Sequence, residues 1–353
     1  MSPVDPQLGV LEPGEGEPFR EMTFPAYRHL LALTPTTRHE DARNAPRIQP
    51  LAIGLFVGDR PAGLALSELP VESGRDPELL SLWVSPSLRG QGLGTLLTAA
   101  TEREVARRGF ERIRAVYTTG KASTTAVERI FTRLGWDQPT LRTVLVRFSV
   151  EDLDRIPWMR LRVRPGFEAI PWAEVTDTEK AALKASDAVT GWIAEDLRPW
   201  DFEADGFEPV TSMALRRHGA IVGWIINHAL GPHFLRYTCS FIHPELGRRG
   251  LLITLYAESL RRMKGTSFTT GTLVAPAHHP AMVAFVRRRC APHVGLTAET
   301  RGTSKKLTLP QVGSEDHDHS RSGTGQRDDG DHQGSAGHGQ GTPAGADPKE
   351  EEP

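Results

Sequence analysis

Cysteine is scarce in this 353-residue chain, which contains only Cys239 and Cys290. Two cysteines are too few for the disulfide framework of a small secreted domain, and their separation does not match the spacing of zinc ligands. A chain of this length can bury enough apolar surface for two ordinary domains without covalent crosslinks. We therefore expect both cysteines to be small core residues.

The sequence also lacks a strong excess of charge and a long apolar run. The formal net charge is −2 and the basic residues are dispersed, so the sequence predicts no nucleic-acid partner. No apolar run approaches the roughly 18 residues of a membrane helix, and the first residues are rich in proline, glycine and glutamate. These absences predict no membrane span, no signal peptide and a cytoplasmic location.

Aromatic residues disappear from position 310 onward, and the segment 310–353 contains a single valine. Such a composition cannot bury enough apolar surface to fold, so it predicts a disordered tail. Four histidines of this tail leave metal binding as an alternative to solvated low-complexity sequence: His317, His319, His332 and His338.

One strand–turn–helix segment, Leu79–Arg108, is the most informative part of the chain. Its first residues, up to Val84, form an apolar run bounded by Ser-Pro, which predicts a buried strand. From Leu93 the apolar residues recur at the i, i+3, i+4, i+7 spacing of a helix with one buried face. A glycine-rich turn therefore joins a strand to a helix.

The turn has the features of an anion site. The first amides of a helix have no intrahelical acceptor, and the helix dipole places partial positive charge there. Glycines remove the Cβ atoms that would keep a phosphate from these amides, and an arginine adds charge-assisted hydrogen bonds. We expect a pyrophosphate cradle formed by Arg89, Gly90, Gln91, Gly92, Leu93, Gly94 and Thr95.

Two other phosphate-binding motifs fit this segment poorly. No Gly-Lys-Ser/Thr follows the turn, as a Walker A loop requires. The strand runs into Ser-Pro rather than Gly-x-Gly, and no acidic residue closes a following strand at the distance expected for a dinucleotide-binding fold. The order Gln/Arg-x-x-Gly-x-Gly/Ala instead resembles the signature of the GNAT N-acetyltransferase superfamily.

This resemblance implies a substrate and its contacts. In GNAT proteins the turn holds the pyrophosphate of acetyl-CoA, and the preceding strand splays from its neighbour so that its backbone binds the pantetheine arm. We therefore expect acetyl-CoA as co-substrate, held in part by Leu82, Trp83 and Val84. A backbone amide of the same strand is expected to stabilise the oxyanion, and no metal ligand is predicted.

The resemblance also implies catalytic residues. Glu78 stands eleven residues before Arg89, where histone-type GNAT enzymes carry a glutamate base, although a solvated strand end is the alternative interpretation. Glu68 on the neighbouring strand is the second candidate. Many GNAT enzymes use a tyrosine as the acid where this chain has Phe131, so we predict Tyr117 as a replacement, with a buried sheet tyrosine as the alternative.

The second half of the chain repeats the first at an offset of 158 residues. Aligned pairs are Val84 and Ile242, Pro86 and Pro244, and Gly92 and Gly250. The cradle and the base change between the halves: Arg89 aligns with Gly247, Gly94 with Leu252 and Glu78 with Arg236. A leucine adds bulk where the diphosphate would lie, and an arginine cannot act as a base. We predict a second copy that has lost acetyl-CoA binding, although Arg248 and Arg249 leave weak anion binding open.

Together these patterns predict an α/β (α+β) protein with two tandem GNAT-like domains, each a twisted, mixed, mostly antiparallel sheet flanked by helices. The predicted parts are a disordered tail over 1–18, an acetyl-CoA-binding domain over 19–150, a linker over 151–160, a degenerate domain over 161–309 and the tail over 310–353.

The predicted function is an acetyl-CoA-dependent N-acetyltransferase, acting in its first domain on a small-molecule amine or a protein amine. One alternative is a non-catalytic acetyl-CoA sensor or interaction module, and another is catalysis in the second domain. An acidic, aromatic stretch over 192–208 would attract a cationic amine, although a charge-rich surface loop explains it as well.

Overall fold

The structure is a computed structural model that describes residues 6–37, 47–72, 74–204, 206–294 and 296–309. The histidine-containing tail over 310–353 lies outside these residues. The chain forms two compact units. Unit 1 contains the described residues up to Ala115, Arg129–Gln138 and the segment from Thr303, and unit 2 contains Val116–Glu128 and Pro139–Gly302.

The strands are β1 Pro6–Val10, β2 Thr36–Thr37, β3 Arg47–Val57, β4 Arg60–Pro70, β5 Glu78–Val84, β6 Arg112–Thr118, β7 Thr140–Ser149, β8 Glu168–Pro171, β9 Met213–Arg217, β10 Ala220–Gly231, β11 Phe234–Ile242, β12 Thr270–Pro276 and β13 Leu296–Lys306. The α-helices are α1 Leu93–Arg107, α2 Thr124–Arg133, α3 Asp177–Thr190, α4 Leu251–Met263 and α5 Pro280–Phe285.

The sheet of unit 1 has the strand order β1-β3-β4-β5-β6, with β2 paired to β3. Its pairs are antiparallel except for β5 and β6, which are parallel. Helix α1 packs on β3, β4 and β5 because its buried face carries Leu93, Leu97 and Val105. The end of β13 completes the unit, since the Leu307 amide donates to the Glu111 carbonyl.

Unit 2 repeats this plan with the strand order β13-β7-β12-β11-β10-β9-β8, in which only the β11–β12 pair is parallel. Helix α4 packs on β9, β10 and β11, and one apolar cluster joins its buried face to β7 and β12. The predicted class is confirmed: mixed, mostly antiparallel sheet strands are flanked by helices in a tandem arrangement.

A β-bulge recurs at the same place in both halves. The β4–β5 ladder skips Leu80: Leu66 pairs with Ser81, but Ser67 pairs with Leu79. The β10–β11 ladder skips Thr238: Ile226 pairs with Cys239, but Asn227 pairs with Tyr237. Leu80 and Thr238 are separated by the same offset as the sequence repeat. Because a bulge needs its own backbone geometry, this match supports a duplication independently of side-chain identity.

Two segments differ from the sequence expectations. Pro6–Val10, expected in a disordered tail, pairs with β3, and the following Leu11 is buried in the core of unit 1. The segment 151–160, expected as a linker, forms two 3-10 turns that bury Leu153, Ile156 and Trp158 in the core of unit 2. Short edge strands and turns bury few side chains, so their hydrophobic pattern is weak.

Both cysteines are buried and free, as the sequence predicts. Within the described ranges, no helix combines the length and the apolar character that crossing a bilayer would require.

Candidate functional site

The predicted cradle lies in unit 1, where a turn joins β5 to α1. After β5 the chain makes a short 3-10 turn and then two left-handed residues, Gly90 at φ +80° and Gly92 at φ +83°. L-residues with a side chain rarely adopt such angles, so glycine is required at both positions. A Cβ built on either glycine would meet no atom within 4 Å, so the surface above the turn is open.

The backbone amides of this turn are available to a ligand. Among the described residues, none of the amides at positions 90 to 95 has a hydrogen-bond acceptor, and the first helical bond runs from the Leu96 amide to the Gly92 carbonyl at 3.1 Å. These amides lie at the positive end of the 15-residue helix α1. Such an arrangement is suited to holding an anion such as a pyrophosphate.

Arg89 lies beside these amides. Its Nε donates to the Val84 carbonyl at 3.0 Å, which fixes the guanidinium between the end of β5 and the turn, and the side chain is exposed. Its terminal N–H groups make no hydrogen bond within the described part of the chain. Arg89 is therefore placed to add positive charge at the edge of the cradle.

Gly94 also lies against a neighbouring helix. A Cβ at this position would lie 2.8 Å from Ile130 Cδ1 and 3.9 Å from Leu82 Cδ2. The missing side chain therefore makes room for Ile130 of α2. Two of the three glycines open the cradle surface, and the third allows close packing between helices.

Strand β5 leaves part of one edge unpaired. It pairs with β4 along its length, but it pairs with β6 only at Glu78 and Leu79. Beyond these residues no described strand pairs with the β6-facing edge, which includes Leu82, Trp83 and Val84, all partly buried. An unpaired edge offers backbone amides and carbonyls to an extended ligand.

Two buried carboxyl groups face each other where β5 begins. Glu68 on β4 is the register partner of Glu78 on β5, and the two residues are 4% and 7% exposed. The Arg114 guanidinium forms an ion pair with Glu78, with Nη2 at 2.7 Å from Oε2. The structure therefore brings together both base candidates and adds Arg114, which sequence reasoning missed. The only signal for Arg114 was its place on the predicted strand after α1.

Tyr117 belongs to unit 2 and contacts residues of that unit. Its hydroxyl donates to Glu128 Oε1 at 2.9 Å, and Arg301 donates to the same oxygen at 3.0 Å. Burial, followed by the hydrogen bond to Glu128, raises the pKa of Tyr117. The hydroxyl thus keeps its proton at neutral pH and directs it toward Glu128.

Phe131 is a core residue of unit 1. It is 3% exposed, and its ring lies 4.6 Å from the ring of Trp136. The Trp136 indole donates to Glu102 Oε1 at 2.6 Å, and the other oxygen of Glu102 accepts from Lys305 at 2.5 Å. Phe131 therefore contributes packing at the position where the family resemblance implies an acid.

Unit 2 preserves the turn but changes the residues around it. Gly250 has φ +70° and begins α4 as Gly92 begins α1. Arg236 and Thr272 are register partners on β11 and β12, at the positions that correspond to Glu78 and Arg114. The buried carboxylate–guanidinium pair of unit 1 therefore has no equivalent among these residues.

The acidic, aromatic stretch over 192–208 is mostly packed structure. Trp192, Trp200 and Phe207 pack against the core formed by Trp172, Ile226 and their neighbours. Residue 205 lies outside the described ranges.

Asp196 in this stretch contacts two histidines that sequence reasoning missed. Its Oδ2 lies 2.6 Å from His279 Nε2 and 2.8 Å from His278 Nε2. Burial alone would raise the pKa of Asp196, but the two imidazoles outweigh it and lower the pKa. Three potential metal-ligand atoms, one from each residue, thus lie within 4.8 Å of one another, and the adjacent histidines were the sequence signal. In the structure, the hydrogen bonds between Asp196 and the two imidazoles explain why these side chains lie close together.

Comparisons with known proteins agree with this geometry. The family model described as "Acetyltransferase (GNAT) family" matches residues 17–136. No curated protein matches the sequence.

Two solved structures share the fold over nearly their full lengths. A tandem GNAT protein from the clavulanic acid biosynthesis pathway has 13% identity and a TM-score of 0.50, over 86% of this chain and 98% of that chain. A GCN5-related N-acetyltransferase from Sphaerobacter thermophilus has 15% identity and a TM-score of 0.51, over 87% and 97%. The chain therefore has the tandem GNAT fold, and its residues 17–136 match the model of the acetyltransferase (GNAT) family.

Proposed function

We propose that this protein is an acetyl-CoA-dependent N-acetyltransferase and that unit 1 carries out the reaction. The observation that carries the proposal is the row of six acceptor-free amides at positions 90 to 95, directly after a strand with an unpaired edge. The acceptor is an amine, either on a small molecule or on a protein, as the family resemblance implies.

The residues of unit 1 fit the chemical groups of acetyl-CoA. The amides at the start of α1 and the Arg89 guanidinium would hold the pyrophosphate, and the surface above Gly90 and Gly92 leaves room for it. The unpaired edge of β5 would hold the pantetheine arm through Leu82, Trp83 and Val84. When bound, acetyl-CoA supplies the thioester.

The reaction forms a bond between the amine nitrogen and the acetyl carbon and breaks the carbon–sulfur bond. The nitrogen loses a proton, and the thiolate takes one up. Glu78 is the proposed proton acceptor, acting directly or through a water, with Glu68 as the second candidate. Backbone amides on the free edge of β5 would stabilise the negative charge on the carbonyl oxygen. The role of Tyr117 as an acid stays a prediction, which Tyr117→Phe tests through kcat.

A non-catalytic acetyl-CoA sensor is the second candidate function. Two observations favour it: Arg114 already engages the carboxylate of Glu78, and Phe131 is a buried core residue without a hydroxyl. Both observations concern groups that would transfer protons, and neither concerns the residues of the cradle. The two functions therefore predict the same binding but different turnover.

Binding is tested by calorimetry on a pair of matched variants. Gln91→Glu places a carboxylate among the amides of the cradle without a left-handed backbone angle, and Arg249→Glu makes the corresponding change in unit 2. We expect Gln91→Glu to abolish acetyl-CoA binding and Arg249→Glu to preserve it. The reverse result would place the site in unit 2 and overturn the assignment.

Turnover is tested by measuring thiol release from acetyl-CoA with a panel of amines. We expect release that depends on the acceptor and disappears in Gln91→Glu. Tight binding of acetyl-CoA without acceptor-dependent release would favour the sensor. Acetyl transfer by the intact protein in a cell extract would identify the acceptor.

A further inference from the structure

A row of polar residues crosses four adjacent strands of unit 2. Arg236 on β11 is the register partner of His228 on β10 and of Thr272 on β12, and Thr272 is the partner of Arg147 on β7. Register partners on neighbouring strands project from the same face of a sheet. These four residues, which we call the basic row, therefore share one face.

The Arg147 side chain extends toward β11, the strand that carries Arg236. The guanidinium carbon of Arg147 lies 5.3 Å from the centre of the Phe234 ring. Phe234 is on β11, two residues before Arg236, so both side chains project from the same face of that strand. The Arg147 side chain has therefore crossed β12 and brings its charge to the strand that carries Arg236.

Neither guanidinium has a partner of opposite charge. Within the described part of the chain, Arg147 and Arg236 make no ion pair and no hydrogen bond, and the Nε atom of each is buried without an acceptor. The neighbouring Glu208 directs its carboxylate to the amides of Val210 and Thr211 instead. A buried donor without an acceptor is destabilising, so an acceptor from outside the chain would bind favourably here.

His228 lies at the β10 end of the basic row. Its Nδ1 is hydrogen-bonded to the Thr238 hydroxyl at 2.8 Å. Burial lowers the pKa of His228, and the nearby Arg236 charge lowers it further.

The corresponding row in unit 1 has the opposite character. There Glu68, Glu78 and Arg114 occupy the positions held in unit 2 by His228, Arg236 and Thr272. Two carboxyl groups and one guanidinium have been replaced by one guanidinium and one imidazole, and Arg147 adds a second guanidinium. The row in unit 1 suits a cationic ligand, whereas the row in unit 2 suits an anion.

We propose that the basic row of unit 2 binds a small molecule through a carboxylate or phosphate group, which lies between the guanidinium groups of Arg147 and Arg236. Guanidinium groups donate paired hydrogen bonds that match the oxygens of both anions. The proposal does not depend on acetyl transfer in unit 1, because all of its residues belong to unit 2.

The test uses the full-length chain with Gln91→Glu, so that the cradle of unit 1 does not compete for the probe. Inorganic phosphate and malonate are titrated separately at constant ionic strength, with binding followed by calorimetry. Arg147→Gln and Arg236→Gln each remove one guanidinium. Arg217→Gln is the matched control, because Arg217 also lies over an aromatic ring, 5.5 Å from the centre of Phe167.

We expect saturable binding of at least one anion, and the tighter of the two identifies the preferred group. Each of the two row variants should weaken binding about tenfold or more, since a charge-assisted hydrogen bond is lost, and Arg217→Gln should leave it unchanged. The proposal is overturned if neither anion saturates, or if all three variants bind alike.

Thermal unfolding without added anion separates ligand binding from a structural role. Both row variants should be at least as stable as the parent chain, because each removes a buried donor that has no acceptor. A clear loss of stability in either variant would show that its guanidinium supports the fold, which would also overturn the proposal.

Discussion

Glu68 and Glu78 lie directly opposite each other on β4 and β5, and both are buried. Two neighbouring carboxylates repel each other when both are charged, and the Arg114 guanidinium, 2.7 Å from Glu78, offsets that repulsion. The two glutamates and Arg114 therefore form one small site. Substitution of each glutamate in turn separates their roles.

The first prediction concerns the base. Glu78→Gln keeps the shape of the side chain but cannot accept a proton, so we expect kcat to fall by about 10²-fold or more. The affinity for acetyl-CoA should be unchanged, because the cradle is untouched. Steady-state kinetics and calorimetry check both statements. A larger loss in Glu68→Gln would transfer the role to Glu68, and full activity in both variants would remove the carboxylates from the mechanism.

The second prediction concerns the ion pair. Arg114→Met leaves the buried Glu78 carboxylate without its partner, so we expect the free energy of unfolding to fall by about 3 kcal/mol. Adding Glu78→Gln to this variant should recover much of the loss. Arg112→Met is the control on the same strand, because its ion pairs are exposed and should contribute at most about 1 kcal/mol. Denaturant unfolding that gives equal losses for both arginines would contradict the prediction.

The third prediction concerns the cysteines. Burial raises the pKa of both Cys239 and Cys290 to about 12. Only the thiolate reacts with a disulfide reagent, so we expect neither thiol to react in the folded protein at pH 8. Both should react after unfolding, where an ordinary thiol has a pKa of about 8.5. Rapid reaction of one thiol in the folded chain would show that its site opens to solvent.

The fourth prediction concerns alkaline pH. Burial is the main cause that raises the pKa of Tyr117, Tyr237 and Tyr256 above the ordinary value of 10. Above that pH the unfolded chain releases phenolic protons that the folded chain keeps. Their contribution to stability is therefore complete below pH 10 and is lost as the pH rises above it.

We expect the tyrosinate absorbance of these three residues to appear together with the loss of tertiary structure in an alkaline titration. Near-ultraviolet circular dichroism follows the fold in the same samples. Tyrosinate signals from all of them near pH 10, in a protein that is still folded, would contradict the assigned burial.

The strand–turn–helix segment was predictable from sequence because its signals are local. Left-handed turns require glycine, and the helical spacing from Leu93 continues through the buried face of α1. The repeat was predictable for a related reason, since one offset aligns a proline, a glycine and a helix. Neither inference needed knowledge of which strands pair.

The pairing of Glu68 with Glu78 was not predictable, because it depends on the bulge at Leu80. Without that skipped residue the register would shift by one, and the two carboxyl groups would lie on opposite faces of the sheet. Gly94 is a similar case. The side chain that fills the space beside it belongs to Ile130, which lies on another helix. Both arrangements depend on residues that are distant in sequence, so no local sequence pattern predicts them.

The described chain returns at its end to the unit in which it begins. Ser304, Lys305 and Leu307 contact Arg112, Glu102 and Glu111, respectively, all in unit 1. During synthesis, the residues of unit 1 that precede Val116 therefore emerge before the β13 residues that contact them. A chain that stops before Thr303 lacks both the Lys305 ammonium that binds Glu102 and the Leu307 amide that donates to Glu111. Unit 1 therefore gains these contacts after the residues of unit 2 have been translated.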